Sequence, residues 1–419
     1  MMMQNNNGEN KRENFIPLSK QDVIKQCHAL ITQEQQVSFS DFCSLLDHYV
    51  HQQHHQLLNR LKNNYAYFDP NRDTLQVDSL NKTQYEAAHA EFHNSFLEVL
   101  KKANFEQITE HDLQQALAEE SLFKVRLEVD FSDFAQVIFY RRGEQTRTEQ
   151  LQKWFGLKKY SITFTNYERI AIYIQFKDAQ YFKTINKQPV NFIPGSTIIK
   201  LFQNVPKADL EMLFPNSEVR MRQIDKFIIA SSAVVGGTAV LITKLGASLI
   251  LLFTLFSYWF GLSQQEVVIN QQQLIALGLG MAIFGSFIFK EWTKFKNRKI
   301  KFMKTLADNL YFKNLDNNAG VFHHLLDNAE DEEFKETLLG YVFLLNHPQG
   351  LTATELDSHI ENWLSSQYSL HIDFEIEDSL TKLLNYKLIN KVNSLYYAVE
   401  LNQAKKILDE RWDKLFEFN

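Results

Sequence analysis

The sequence predicts an α+β membrane protein: an N-terminal helical bundle, a small antiparallel sheet domain, a transmembrane helical hairpin and a C-terminal winged-helix-like domain. Three observations carry that reading. Apolar residues recur at three- and four-residue spacing up to about residue 120, then at two-residue spacing from Phe123 to Leu201. From Phe227 to Gln265 the only charged residue is Lys244, and from Val267 to Phe289 there is none. Beyond the basic stretch that follows, helical spacing returns and closes on two short alternating runs. Composition sets the outer limits. A chain of 419 residues with 44 Lys+Arg against 50 Asp+Glu has a net charge of −6, which excludes the basic footprint of a nucleic-acid binder. An apolar content of 45%, with 34 Phe, excludes a disordered chain. Two cysteines, Cys27 and Cys43, exclude a disulfide framework and suit a reducing compartment. The mean hydropathy of −0.30 describes a water-soluble average and hides the apolar middle.

Residues 1–17 read as a disordered tail. Asn-rich and polar, they lack the apolar core of a secretory signal and the Arg-rich amphipathic pattern of a transit peptide. Residues 18–120 read as a helical domain. Ser19 and Ser40 are the predicted N-caps, Asp41–Leu61 and Thr83–Ala103 the long helices, Phe68-Asp69-Pro70-Asn71 the turn between them, and Thr109 with Asp112 an approximate capping box. Residues 121–215 read as an α+β domain. Its strands are the β-branched and aromatic runs at Val137–Tyr140, Tyr160–Phe164, Ile170–Phe176 and Thr197–Phe202, with short helices at Thr148–Phe155 and Lys207–Phe214.

Residues 216–304 read as a transmembrane hairpin with basic flanks, its spans at about 227–262 and 274–290. Leu245–Leu262 and Leu274–Phe289 approach the roughly 20 apolar residues that a spanning helix needs, and Tyr258, Trp259 and Trp292 sit where interfacial aromatics belong. Phe227–Thr243 is a third run of marginal length, leaving two or three crossings open. The basic residues between Lys290 and Lys304, and those at Arg220, Arg222 and Lys226, favour two crossings with both flanks and both termini cytoplasmic. The bilayer is then the first partner, and the flank 290–304 has the size of an anionic-lipid anchor.

Residues 305–419 read as an acidic winged-helix-like domain, with 9 basic against 20 acidic residues. Helices at Phe334–Leu345, Thr354–Gln367 and Ile376–Asn385 precede a hairpin of Leu388–Val392 and Leu395–Leu401. The third helix carries Glu375, Glu377 and Asp378 against Lys382, which opposes phosphate contact and excludes nucleic acid as the partner. The block Glu330-Asp331-Glu332-Glu333 reads as a solvated helix start favoured by the macrodipole.

Candidate chemistry is sparse. His48, His51, His54 and His55 crowd one predicted helix; Glu86, His89 and His93 lie on another, and Glu86-x-x-His89 has the spacing of carboxylate-bridged metal bundles. Solvated or core histidines are the plainer expectation, because spacing alone does not bring ligands together. Arg141-Arg142-Gly143 could present an anion site, or pair with Glu144 or Asp133. No phosphate-binding loop, nucleophile elbow or zinc-protease helix occurs. No catalytic, cofactor-binding or metal residue is assigned, and no cofactor is expected.

Several segments together resemble a known family. Pro206–Pro215, Val219-Arg220-Met221, the apolar hairpin and Tyr311–Asn318 with Gly320-Val321 are similar to the transmembrane protein 143-like family, as are Phe15-Ile16-Pro17, Tyr65-Ala66, Phe68-Asp69-Pro70 and Tyr140–Gly143. The resemblance covers nearly the whole chain and implies a two-span integral membrane protein of bacteria or of mitochondria, its shared domain of unknown function. It carries over no catalytic residues. With no transit-peptide pattern at the start, the expected location is the bacterial inner membrane, multi-pass. The expected function is a hairpin-anchored, homo-oligomeric scaffold or adaptor. The alternatives are an oligomeric transport or channel component with a polar path at Lys244, Ser231, Ser232 and Thr238, and an enzyme acting on a lipid or phosphorylated substrate through Arg141 and Arg142.

Overall fold

The computed structural model describes residues 12–75, 77, 80–118, 126–153, 158–189, 192–220, 246–262 and 270–416. In chain order the elements are α1 (Lys20–Ala29), α2 (Gln36–Tyr65), α3 (Lys82–Lys102), β1 (Glu106–Ile108), α4 (Glu110–Ala118), β2 (Arg126–Glu128), β3 (Phe134–Lys153), β4 (Lys158–Phe176), α5 (Ala179–Thr184), β5 (Thr197–Pro206) and β6 (Glu218–Arg220). They continue with α6 (Gly246–Trp259), α7 (Gln271–Lys313), β7 (Asn314–Asn317), α8 (Ala319–Leu345), α9 (Ala353–Tyr368), α10 (Ile376–Asn385), β8 (Ile389–Val392), β9 (Leu395–Ala398) and α11 (Leu401–Asp413). They fall into two compact units, one of residues 1–118, 131–210 and 313–419, the other of residues 119–130 and 211–312.

The larger unit is built on a five-stranded antiparallel sheet in the order β1-β3-β4-β5-β7. Strands β3 and β4 form its spine, and their ladder runs from Phe134 opposite Phe176 to Lys153 opposite Lys158. That ladder replaces the short helix expected at Thr148–Phe155. Residues 148–153 are strand because Thr148 and its successors pair with Thr163 and its predecessors, and cross-strand pairing overrides a weak local helix preference.

Local chemistry explains the helix ends. The Ser19 hydroxyl accepts from the Asp22 amide at the start of α1, and Asn81 with Gln84 forms a capping box for α3. Ser40, expected as a cap, lies inside α2 and donates to the Gln36 carbonyl. Thr109 accepts from the Asp112 amide immediately before α4. The helix expected over Lys207–Phe214 is a 3-10 segment, Lys207–Leu213, kinked at Asp209.

Two apolar clusters hold the larger unit. One joins the N-terminal Ile16, α1 and the first half of α2 to the second half of α8 and to α9, α10 and α11. The other packs the end of α2 and α3 on Ala171, Tyr173, Ile199 and Leu201 of the sheet and on the start of α8. Its centre is aromatic: Tyr65, Phe92 and Phe96 surround Phe322, with ring centroids 5.3 to 6.2 Å from it. Helix α8 contributes to both clusters and is the unit's central strut.

The smaller unit contains the β2–β6 pair, in which Leu127 lies opposite Val219, and helices α6 and α7. Here the expectation of a transmembrane hairpin is overturned. Among the described residues no helix is both long and apolar enough to cross a membrane. The described residues of α6 number 14, a length of about 21 Å against a hydrocarbon core of about 30 Å. Helix α7 is long enough at 43 residues, but its apolar run Leu274–Phe289 covers only about 24 Å before Lys290, Glu291, Lys294 and Lys296. An uncharged run in the sequence is not a span unless one helix carries it far enough. The multi-pass location in a bacterial inner membrane, with both termini cytoplasmic, is overturned with it. Phe227–Thr243, Lys244, Ser231, Ser232 and Thr238 lie outside the described residues.

Candidate functional site

The acidic block of α8 is where the structure departs furthest from the sequence reading. Instead of starting a helix in solvent, Glu330–Glu333 lie in the middle of α8, and Glu332, Glu333, Lys335 and Glu336 are all buried. Positions 332, 333 and 336 share a helix face by their three- and four-residue spacing, so one turn brings three carboxylates into the interior. Such burial is tolerated only where each charge finds partners.

The fully buried Glu332 carboxylate accepts from the Ile16 amide at 2.9 Å, the Arg142 guanidinium at 2.8 Å and the Lys335 ammonium at 2.6 Å. Lys335 also donates to the carbonyls of Ile16 at 2.7 Å and Leu18 at 3.2 Å. Glu333 accepts from the Tyr386 hydroxyl at 2.7 Å and has Lys382 at 3.8 Å and His54 Nε2 at 3.7 Å. Glu336 accepts from the Asn104 amide at 3.0 Å and from Lys382 at 3.2 Å. Three carboxylates therefore face Arg142 of β3, Lys335 of α8 and Lys382 of α10.

The electrostatics follow from that pairing. Burial raises the Glu336 carboxyl to about 7 despite Lys382 beside it. For Glu333 burial acts in the same direction, but Lys382, His54 and the Tyr386 hydroxyl outweigh it and hold the carboxyl below its usual range. Burial lowers the Arg142 guanidinium, opposed by Glu332.

The network fastens an N-terminal strap, residues 12–18. Glu13 makes a parallel bridge to Ile372, and its carboxylate accepts from the Glu144 amide at 3.0 Å. Phe15 lies under the Arg142 guanidinium, 4.4 Å from centroid to charge, and Arg12 pairs with Glu361 at 3.1 Å. Gly143, at φ +75°, lies inside β3 beside Arg142 in a conformation that other residues rarely adopt. The two arginines expected as an anion site are thus committed. Arg141 pairs with Glu144 and with Glu106, and Arg142 pairs with Glu332. Asp133, the other partner expected for them, instead meets Lys187 at 2.5 Å.

The histidines singled out by spacing fall in three places. His89 meets the Tyr173 hydroxyl at 2.9 Å and His93 the Gln136 amide at 3.3 Å; burial lowers both imidazoles from their usual range. His51, His54 and His55 of α2 line a cleft of about 320 Å³ with His323, His324, Asp327 and Glu330 of α8. His51 Nδ1 lies 2.9 Å from Glu330, and His54 Nδ1 donates to the Val50 carbonyl at 2.9 Å. His48 stands apart, edge-on to Trp412. Glu86 of the expected Glu86-x-x-His89 pattern is not among the cleft residues. Among the described residues no three His, Cys, Asp or Glu side chains stand ready to hold a metal ion. Sequence spacing found the α2 histidines but missed His323 and His324, because only packing sets the start of α8 against them.

The fold and this network define a mixed α/β body organised on one helix with buried charges. Residues 167–320, from β4 into the start of α8, match the family model described as Protein of unknown function (DUF3754). No solved structure matches the chain.

Proposed function

We propose that this protein is a scaffold or adaptor that presents an acidic surface to a basic protein partner. The observation that carries this reading is the charged network of α8, which joins the strap, the sheet and the C-terminal helices into one body. Beside it, α10 and the segment before it expose Asp373, Glu375 and Glu377. Single-sign surfaces of this kind steer oppositely charged partners and repel phosphate backbones. Full-length protein and an Asp373→Lys/Glu375→Lys/Glu377→Lys variant are compared by affinity capture at low and physiological salt. A partner held by the first and lost by the second supports the proposal; identical capture profiles contradict it. An enzyme using Arg141 and Arg142 is disfavoured, because both guanidinium groups are spent on carboxylates.

A second reading concerns α7. Lys290, Lys294, Lys296, Lys301 and Lys304 are exposed beside the exposed Phe289 and Trp292, a combination suited to anionic lipid headgroups at a surface. Co-sedimentation with phosphatidylserine vesicles but not phosphatidylcholine vesicles supports that contact; equal recovery with both contradicts it. We also propose membership of the transmembrane protein 143-like family, because the matched residues 167–320 include Pro206–Pro215 and Tyr311–Gly320, the segments that carry the resemblance.

A further inference from the structure

We propose that the strap, residues 12–18, is a pH-sensitive latch: it closes over the α8 network in mildly acidic solution and loosens as pH rises through neutrality, driven by ionisation of Glu13 and Glu336. The strap lies outside every helix, and Ile16 is its one fully buried side chain. Polar partners supply the rest of its hold. Besides the bonds to Glu332 and Lys335, the Glu13 amide donates to the His371 carbonyl at 3.2 Å and the Glu13 carbonyl accepts from the Asp373 amide at 3.0 Å. The Asn14 carbonyl accepts from the Asn104 side chain at 2.6 Å. A segment held this way answers to the charge state of its partners.

Glu13 sits among carboxylates. Glu106 of β1 and Glu168 of β4 face it, the Glu144 amide of β3 donates to it, and Arg141, the cation beside it, already pairs with Glu106 at 2.5 Å and with Glu144. Glu336 lies deeper, against Lys382 of α10 and Glu332 of its own helix. The Asn104 side chain that holds the strap also donates to Glu336, so one amide ties the strap to this carboxyl. Burial raises both carboxyls, Glu336 to about 7, and Glu106 and Glu168 add to the effect at Glu13. Opening the strap admits water to both, which restores ordinary carboxyls. Closure is therefore favoured fully below about pH 4.5, where both are protonated in either form, and the advantage is lost as pH rises through the raised values of the closed form. At the outer end Arg12 pairs with Glu361 and faces Asp357, an attraction that persists at high pH, so the loosening is read at residues 13–16. Opening uncovers the Glu332, Arg142 and Lys335 cluster.

The test follows hydrogen exchange of the full-length protein by mass spectrometry from about pH 5.5 to about pH 8.5, each rate being divided by the intrinsic rate at that pH to give a protection factor. Protection of residues 13–16 is expected to fall by about tenfold or more across the series, while that of Ile170–Phe176 in β4 stays level. Glu13→Gln and Glu336→Gln should each reduce the fall, and the double variant should abolish it. Glu13→Gln keeps an acceptor oxygen for the Glu144 amide and lies outside the buried α8 cluster, so it decides the matter even if Glu336→Gln fails to fold. Strap protection that is constant over the series overturns the proposal. So does an undiminished fall in Glu13→Gln, or a fall in the wild type that β4 shares in step.

Discussion

Replacing Glu332 by Gln tests the network at its centre. The side chain keeps its size but loses the charge that faces two cations, Arg142 and Lys335, whose side chains are 11% and 4% exposed. Gln also offers one acceptor oxygen where Glu332 now serves the Ile16 amide and both cations. Removing one member of a buried ion cluster costs about 3 to 5 kcal/mol, because the partners are left charged and unpaired. That is a large share of the roughly 5 to 15 kcal/mol by which a domain is stable. Equilibrium urea unfolding followed by circular dichroism measures it. With a slope near 3 kcal/mol/M, the midpoint falls by about 1 M or more. Combining Glu332→Gln with Lys335→Met should cost less than the sum of the single changes, by about 0.5 to 3 kcal/mol, because the second change removes a charge the first orphaned. A loss below about 1 kcal/mol, the value of an exposed pair, or strict additivity refutes the reasoning.

Three other outcomes are expected. Because burial raises the Glu336 carboxyl from its ordinary value to about 7, the folded state binds a proton more readily than the unfolded one across that interval. Its contribution is fully present below about pH 4.5 and declines as pH rises through 7, on the order of 3 kcal/mol in all; Glu336→Gln should flatten that part of the stability-against-pH curve. Gly350→Ala should destabilise by at least about 1 kcal/mol in thermal unfolding, since Gly350 sits at φ +80° and an added Cβ would lie 2.6 Å from the Tyr397 ring. Thr352→Ala, which breaks the capping box of α9 with Glu355, should cost about 1 kcal/mol by the same assay.

Much of the local structure was legible because its causes are local. Ser19 caps α1 through the Asp22 amide, and the β-branched run Ile170–Phe176 is the heart of β4. The errors have physical reasons. The hairpin expected to end at Leu401 stops at Ala398, because the Glu400 side chain accepts from the Gln403 amide and starts α11 instead. Residues 148–153 extend a strand because β4 supplies a partner ladder that no local window contains. The uncharged middle suggests spans because a count of charges says nothing of helix length, and among the described residues no helix is both long and apolar enough to cross a membrane. The acidic block of α8 was misread most completely. Its counter-charges, Arg142 and Lys382, lie 190 and 46 residues from their carboxylates, and nothing in spacing or composition announces such pairs. The cleft is half legible for the same reason: His51 and His55 form a local pattern, whereas only packing brings His323 and Asp327 to line the same cleft.

Hydrogen exchange followed by mass spectrometry tests most directly whether the α8 network unites the strap, the sheet and the C-terminal helices. In the wild type, amides of residues 13–16, including that of Ile16 on Glu332, should be protected together with those of α8 and α10. In Glu332→Gln all three segments should lose protection in concert. Exchange of residues 13–16 at the rate of a free peptide in the wild type, or loss confined to the strap in the variant, would contradict the account.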